Sequence, residues 1–113
     1  MSDALHLDDG RRLALDAKVY LTDWTEWEPA VAEAFAASDG IDLAADHWAV
    51  IEVLRQYYDE YEIAPPMRAL VRILKQRLQQ ADLGSRELYR LFPEGPAKQA
   101  CRYAGLPRPV SCI

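Results

Sequence analysis

Two cysteines are the residues of this 113-residue sequence whose type and spacing best suit redox or group-transfer chemistry. Cys101 lies in a stretch that is predicted to be helical, and Cys112 is next to the last residue. Eleven fully extended residue steps reach about 36 to 40 Å, whereas a disulfide needs Cα atoms within about 7 Å. The intervening segment must therefore fold back for the thiols to meet, and must extend to offer Cys112 to another molecule.

Basic residues lie close in sequence to both thiols, namely Lys98, Arg102 and Arg108. Cationic neighbours favour the nucleophilic thiolate over the thiol. A cysteine on an alanine-rich helical face is also typical of a small buried core residue, so both interpretations of Cys101 stay open. For Cys112 we favour a functional role, because an exposed thiol on a cytoplasmic tail is otherwise an oxidation liability.

Other catalytic or ligand-binding chemistry has little support in the sequence. His6 and His47 lie far from the cysteines and do not form a zinc-ligand pattern with them. Neither cysteine has the signature of a Cys-His hydrolase, and His47, beside Trp48 on a predicted helix, is expected to be a packed or capping residue. The five glycines are scattered and form no phosphate-binding loop. We therefore expect no metal and no cofactor.

The two parts of the chain differ in charge. Residues 1–63 hold 15 acidic and 4 basic side chains, whereas residues 64–113 hold 9 basic and 3 acidic ones. Such a cationic segment could attract an acidic partner, nucleic acid or an anionic group, or could simply face solvent. Arg68, Arg72 and Arg90 are the candidates for partner docking. Their two helices could also form a helix-turn-helix, although the acidic first part would repel DNA phosphates.

Periodicity and turn residues predict an α+β, mostly helical fold. Asp9-Gly10 between alternating segments predicts an N-terminal β-hairpin, with Tyr20-Leu21 as a candidate third strand. Thr25 and Glu28 have capping-box spacing and predict the start of the first helix. Apolar stripes, Pro and Gly predict five helices, which span about 25–40, 46–62, 66–80, 85–93 and 96–105.

The end of the sequence is predicted to be an extended arm, because Pro107 and Pro109 forbid a helix. We therefore expect one helical domain at 1–105 and a mobile C-terminal arm at 106–113. The sequence has no apolar run of membrane-spanning length and no signal-peptide pattern at its start. A cytoplasmic protein with reduced thiols is expected.

The segment Gly95-Pro-Ala-Lys-Gln-Ala-Cys-Arg102, followed by Ala104-Gly-Leu-Pro-x-Pro-x-x-Cys112, resembles the C-terminal signature of the DsrC/TusE family of sulfur-relay proteins. The resemblance continues upstream and covers nearly the whole chain, through Tyr89-x-Leu-Phe-Pro93, His47-Trp48, Leu54-Arg55, Tyr57-Tyr58, Ala64-Pro65, Arg68 and Leu70. The loop at 79–84 departs from the Lys/Glu-rich, Asn-containing turn of many members, and Ala44 replaces their usual hydroxyl residue.

This resemblance implies a helical protein with a short β-sheet and a swinging arm, acting as a sulfur carrier and co-substrate rather than a stand-alone enzyme. It implies that Cys112 accepts sulfur as a persulfide from a sulfurtransferase of the DsrE/TusD type. It also implies that Cys101 and Cys112 form a disulfide or hold sulfur as a trisulfide.

The resemblance leaves two pathways open. Members of the DsrC branch work with dissimilatory sulfite reductase and a membrane-bound reductase complex. Members of the TusE branch feed sulfur toward tRNA 2-thiouridine and generally lack the upstream cysteine. Because Cys101 is present, the DsrC branch is favoured. A TusE-type relay protein, a thiol redox sensor and a DNA-binding regulator are the alternatives.

Overall fold

The computed structural model describes residues 4–7, 9–16 and 19–107, and over these residues the protein is mostly helical. The five helices of the described part are α1 (Pro29–Asp39), α2 (Ala45–Tyr61), α3 (Met67–Leu78), α4 (Ser85–Leu91) and α5 (Pro96–Tyr103). The predicted α+β class with about five helices is confirmed. Each of the four later helices lies within a few residues of its predicted position, because proline or glycine marks most of their ends.

A short antiparallel hairpin precedes the helices. Strand β1 (Ala4–His6) pairs with β2 (Arg12–Ala14). Leu5 lies opposite Leu13, and both side chains are buried in the core. The candidate third strand is reduced to a single bridge between Leu15 and Leu21. The sheet is therefore a hairpin and not a meander over the described residues.

The segment before α1 differs from its prediction. Asp23 accepts the backbone N–H of Thr25 at 3.0 Å and caps a 3₁₀ turn at Trp24–Glu26. The regular helix begins only at Pro29, whose missing N–H and fixed φ suit a first helical position. The predicted helix start at Thr25 is therefore wrong, and two tryptophans of this segment, Trp24 and Trp27, are left outside any α-helix.

The structure also differs from the prediction at the ends of two later elements. Ser85 is the first residue of α4 and not its cap, because Gly84 occupies the N-cap position. Leu106, assigned by the sequence to the arm, has no exposed surface and belongs to the hydrophobic core. The packed body thus extends one residue further than predicted.

Helix α5 lies at the centre of the packing. It contacts α1, α2 and α4, and it contributes Tyr103, one of the largest fully buried side chains of the protein. The ring of Tyr103 stacks on Phe35 of α1 and meets the edge of Phe92, which follows α4. Residues at the end of α5 are thereby fixed relative to three other helices. None of the described helices combines the length and hydropathy needed to cross a membrane.

Candidate functional site

Cys101 lies on the inner face of α5 and is 1% exposed. Ala100 and Ala104 are buried beside it in the same helical turn. Burial raises the pKa of the Cys101 thiol to about 12, because the thiolate would lose its hydration. This shift is opposite to the one expected from cationic neighbours. In this conformation Cys101 is a protonated core residue and not an activated nucleophile.

Arg102, one of the predicted supporting cations, is directed at α1. Its guanidinium pairs with the Asp39 carboxylate, and the ion pair is largely buried. The Tyr103 hydroxyl donates to the same carboxylate at 2.6 Å, and the Gln99 amide donates to it at 3.3 Å. Asp39 therefore gathers three donors from α5 and holds α5 against α1. Arg102 is therefore engaged with α1 in this structure, and its supporting role at the Cys101 thiol stays a prediction.

Lys98, the other described cation near Cys101, has an exposed side chain. Its backbone carbonyl accepts a hydrogen bond from the Tyr20 hydroxyl at 3.2 Å. Arg108 and Cys112 lie outside the described residues. The predicted grouping of three cations around two thiols therefore stays a prediction.

The chain leaves α5 through a tight turn of defined geometry. The Leu106 N–H donates to the Cys101 carbonyl at 3.0 Å, and the Gly105 N–H donates to the Arg102 carbonyl at 3.1 Å. Gly105 has φ +72°, which a residue with a Cβ adopts only with strain. These two bonds define a Schellman motif, in which the residue after the glycine commonly makes an apolar contact with the last helical turn.

Two side chains from elsewhere hold this turn, and we call Trp27 and Arg55 the clamp. The Trp27 indole N–H donates to the Tyr103 carbonyl at 2.8 Å. Arg55 Nη1 donates to the Ala104 carbonyl at 2.8 Å. The Arg55 guanidinium also lies over the Trp27 ring, 4.4 Å from its centroid. Desolvation lowers the pKa of Arg55, which nevertheless remains charged at neutral pH.

Sequence reasoning did not assign a role to the clamp. Arg55 falls within the apolar stripe of α2, and a charged residue in such a stripe indicates a specific internal partner. Trp27 offers no comparable signal, because its partner lies 76 residues away along the chain.

His47 acts as the sequence predicted. Its Nδ1 accepts the Ala44 backbone N–H at 3.0 Å, and its Nε2 lies 3.0 Å from the Leu91 carbonyl. Because a carbonyl can only accept, Nε2 carries the proton and the imidazole is neutral in this arrangement. His47 therefore caps α2 and ties it to the end of α4.

The predicted docking residues lie on an exposed surface that we call the basic face. Arg68 and Arg72 of α3 line a cavity of about 490 Å³, together with Met67, Val71, Lys75 and Ser85. No ion pair to another described residue engages Arg68 or Arg72. Arg90 does not line this cavity, and its side chain lies 3.4 Å from Glu87 on the surface of α4. The structure therefore separates Arg90 from the other two arginines.

The arrangement defines a small helical thiol protein with one cysteine buried at the end of its last helix and a second cysteine eleven residues later. The sequence profile of the family described as DsrC-like protein matches residues 8–113. The chain therefore belongs to the DsrC-like protein family.

Known relatives agree with this assignment. The sulfurtransferase TusE of Salmonella typhimurium is 45% identical over 105 residues, which cover 93% of this chain and 96% of that protein. The NMR structure of Allochromatium vinosum DsrC superposes with a TM-score of 0.88 at 44% identity, covering all of both chains. The oxidized γ-subunit of the dissimilatory sulfite reductase (DsrC) from Archaeoglobus fulgidus gives 0.87 at 40% identity, covering 98% of this chain and 100% of that chain.

Proposed function

We propose that this protein is a cytoplasmic sulfur-relay carrier that accepts sulfur as a persulfide on Cys112 and releases it with the help of Cys101. The observation that carries the proposal is the presence of both cysteines within the segment that matches the DsrC-like family. The TusE relatives are named sulfurtransferases, which supports a relay activity for this protein. A carrier needs its sulfur on a group that reaches another protein, which suits a thiol on the proposed arm at 107–113.

The burial of Cys101 supports a division of labour between the thiols. A fully buried, protonated thiol cannot attack a sulfur donor held by another protein. Loading therefore falls to Cys112. The role of Cys101 begins after loading, when the arm folds back and the two sulfurs meet.

The release step balances without a further reagent. The Cys101 sulfur attacks Sγ of the Cys112 persulfide while its proton passes to the anionic terminal sulfur, and the bond between that Sγ and the terminal sulfur breaks. The terminal sulfur leaves as hydrosulfide with the electron pair of the broken bond. The two cysteine sulfurs become the oxidised disulfide, while the carried sulfur is reduced to sulfide.

Intact-mass spectrometry tests the carrier function. The reduced protein is incubated with a persulfide-loaded sulfurtransferase, and its mass is expected to increase by one sulfur atom. Cys112→Ala should abolish this gain, whereas Cys101→Ala should retain it. Equal labelling of Cys112→Ala would contradict the proposal, and a disulfide formed without any persulfide state would indicate a redox sensor instead.

The basic face supports docking of an acidic surface on the partner protein. Arg68 and Arg72 present their charges beside the apolar side chains of Met67 and Val71. Charge complementarity at such a surface speeds association and makes it sensitive to salt. We propose a sulfurtransferase of the DsrE/TusD type as donor. The acceptor is proposed to be dissimilatory sulfite reductase, with a membrane-bound reductase complex as a further partner, or alternatively a tRNA-thiolation enzyme.

A binding titration with a purified donor tests the basic face. The Arg68→Ala, Arg72→Ala double variant should bind the sulfurtransferase about tenfold more weakly at low salt, with a smaller loss at high salt. Arg12→Ala removes one exposed positive charge on β2 and serves as the control. Unchanged affinity of the double variant, or binding of duplex DNA in place of the sulfurtransferase, would contradict this docking assignment.

A further inference from the structure

We infer that the turn after α5, Ala104–Leu106, is a gate over Cys101 and that the clamp, Trp27 and Arg55, keeps this gate closed. The inference rests on the proposed function, because it assigns control of the release step at the same thiol.

The position of the turn relative to Cys101 supports a covering role. Leu106 follows Gly105 in the Schellman motif and is tied by its N–H to the carbonyl of Cys101. Both side chains belong to one buried cluster, with Leu106 fully buried and Cys101 1% exposed. A second thiol must come to about 2 Å from Sγ to form a disulfide. The cover over Cys101 must therefore move before the sulfurs can meet.

The turn is hydrogen-bonded to the backbone of Cys101 and leads into the segment bearing Cys112. Helices α1 and α2 each add four buried apolar side chains to the core, whereas the turn beyond Ala104 adds only Leu106. Displacement of the chain after Leu106 therefore first removes the Leu106 side chain from the core. Opening of the turn is thus the least disruptive way to uncover Cys101.

The clamp acts on the backbone of the turn. The end of a helix leaves its last carbonyls without intrahelical partners, and Trp27 and Arg55 supply donors to two of them, those of Tyr103 and Ala104. The positive charge of Arg55 also lies at the negative end of the α5 dipole. Loss of either donor leaves a carbonyl that only water can satisfy, which favours the open turn.

The Trp27 ring also restricts the shape of the turn. A Cβ built on Gly105 would lie 2.5 Å from Trp27 Cδ1 and 3.0 Å from Trp27 Cβ. The indole therefore lies directly against the backbone of the turn, and Arg55 stacks on its ring. Trp27 and Arg55 are positioning residues, because they act on Cys101 through the turn and not through its sulfur.

Alkylation of Cys101 tests the gate without any sulfur donor. In a Cys112→Ser background, iodoacetamide reacts with Cys101 alone, and its rate reports how often this thiol is uncovered. Trp27→Phe keeps an aromatic ring and loses the donor, whereas Arg55→Met keeps an apolar stem and loses the guanidinium. We expect each change to accelerate alkylation at least tenfold under native conditions.

A matched control separates gating from general instability. Leu83→Ala removes a buried side chain between α3 and α4, away from the turn. Denaturant unfolding is measured for every variant, and alkylation rates are compared at equal free energy of unfolding. Arg55→Lys, which retains a positive charge, is the second variant if Arg55→Met does not fold.

The results separate the gate from the relay. Faster alkylation in the clamp variants than in Leu83→Ala supports the gate. An unchanged rate, or a rate that follows global stability alone, overturns it. The relay function is tested separately, by the mass gain at Cys112. If sulfur loading fails, the alkylation rate of Cys101 still tests the gate. If the gate fails, the loading experiment still tests the relay.

Discussion

The end of α5 and the basic face of α3 use polar side chains in opposite ways. At the end of α5, Arg102 pairs with Asp39, and Arg55 satisfies the Ala104 carbonyl. On the basic face, Arg68 and Arg72 are exposed and make no ion pair with a described residue.

The two regions therefore have different roles, one structural and one in binding. Buried polar groups need internal partners, so those at the end of α5 fix the geometry around one thiol. Exposed cations beside apolar surface contribute little to stability and remain available to another molecule. The comparison therefore predicts large stability effects at the end of α5 and binding effects on α3.

The largest expected stability effect is at Gly105. Gly105→Ala should lower the free energy of unfolding by about 3 kcal/mol, because it adds a steric clash with Trp27 to an unfavourable positive φ. Gly40→Ala is the matched control: Gly40 has the same φ of +72° and no atom within 4 Å of the built Cβ. It should cost about 1 kcal/mol. If urea unfolding shows that both variants lose the same free energy of unfolding, the contact with Trp27 is unimportant.

The next effect concerns the carboxylate that joins α1 to α5. Asp39→Ala should cost about 2 kcal/mol, because Arg102 and the Tyr103 hydroxyl lose their shared acceptor in a partly buried setting. Chemical denaturation checks this value against Asp42→Ala, which removes an exposed carboxylate from the following loop. If the free energy of unfolding falls no further than in Asp42→Ala, Asp39 does not stabilise the contact between α1 and α5.

A smaller effect follows from the pKa of Cys101. Because folding raises this pKa from its ordinary value near 9 to about 12, the folded state retains a proton that the unfolded state releases above pH 9. The contribution of this thiol to the free energy of unfolding is thus fully present below pH 9 and decreases as pH rises toward 12. Between pH 9 and pH 10 the free energy of unfolding should fall by about 1 kcal/mol more than in Cys101→Ala. Parallel pH profiles of the two proteins would contradict the burial of the thiol.

The smallest stability effect is expected on the basic face. Arg68→Ala combined with Arg72→Ala should change the free energy of unfolding by less than about 0.5 kcal/mol, because both side chains are exposed. Thermal and urea unfolding check this expectation. A large loss would place these arginines among the structural residues and would remove the contrast with the end of α5.

The elements were predictable from sequence wherever local signals decide them. Pro96 and Gly105 bracket α5, and the apolar stripe of α3 follows Pro66, so these helices were predicted nearly correctly. The start of α1 was not, because the capping-box spacing of Thr25 and Glu28 competes with Pro29 as a helix start.

The environment of Cys101 was harder to predict. Adjacent residues on a helix point in different directions, so Arg102 reaches Asp39 although it follows Cys101 in sequence. The clamp joins residues separated by 49 and 76 positions. Tertiary packing sets such contacts, and no local pattern encodes them.

Sulfur carriage on Cys112 is tested by locating the transferred sulfur in the wild-type protein. After incubation with a persulfide-loaded sulfurtransferase and capping by an alkylating agent, peptide mass spectrometry assigns the added sulfur to one cysteine. We expect an additional sulfur on the peptide that contains Cys112, with no added sulfur on Cys101. An additional sulfur on the Cys101 peptide, with Cys112 unloaded, would contradict it.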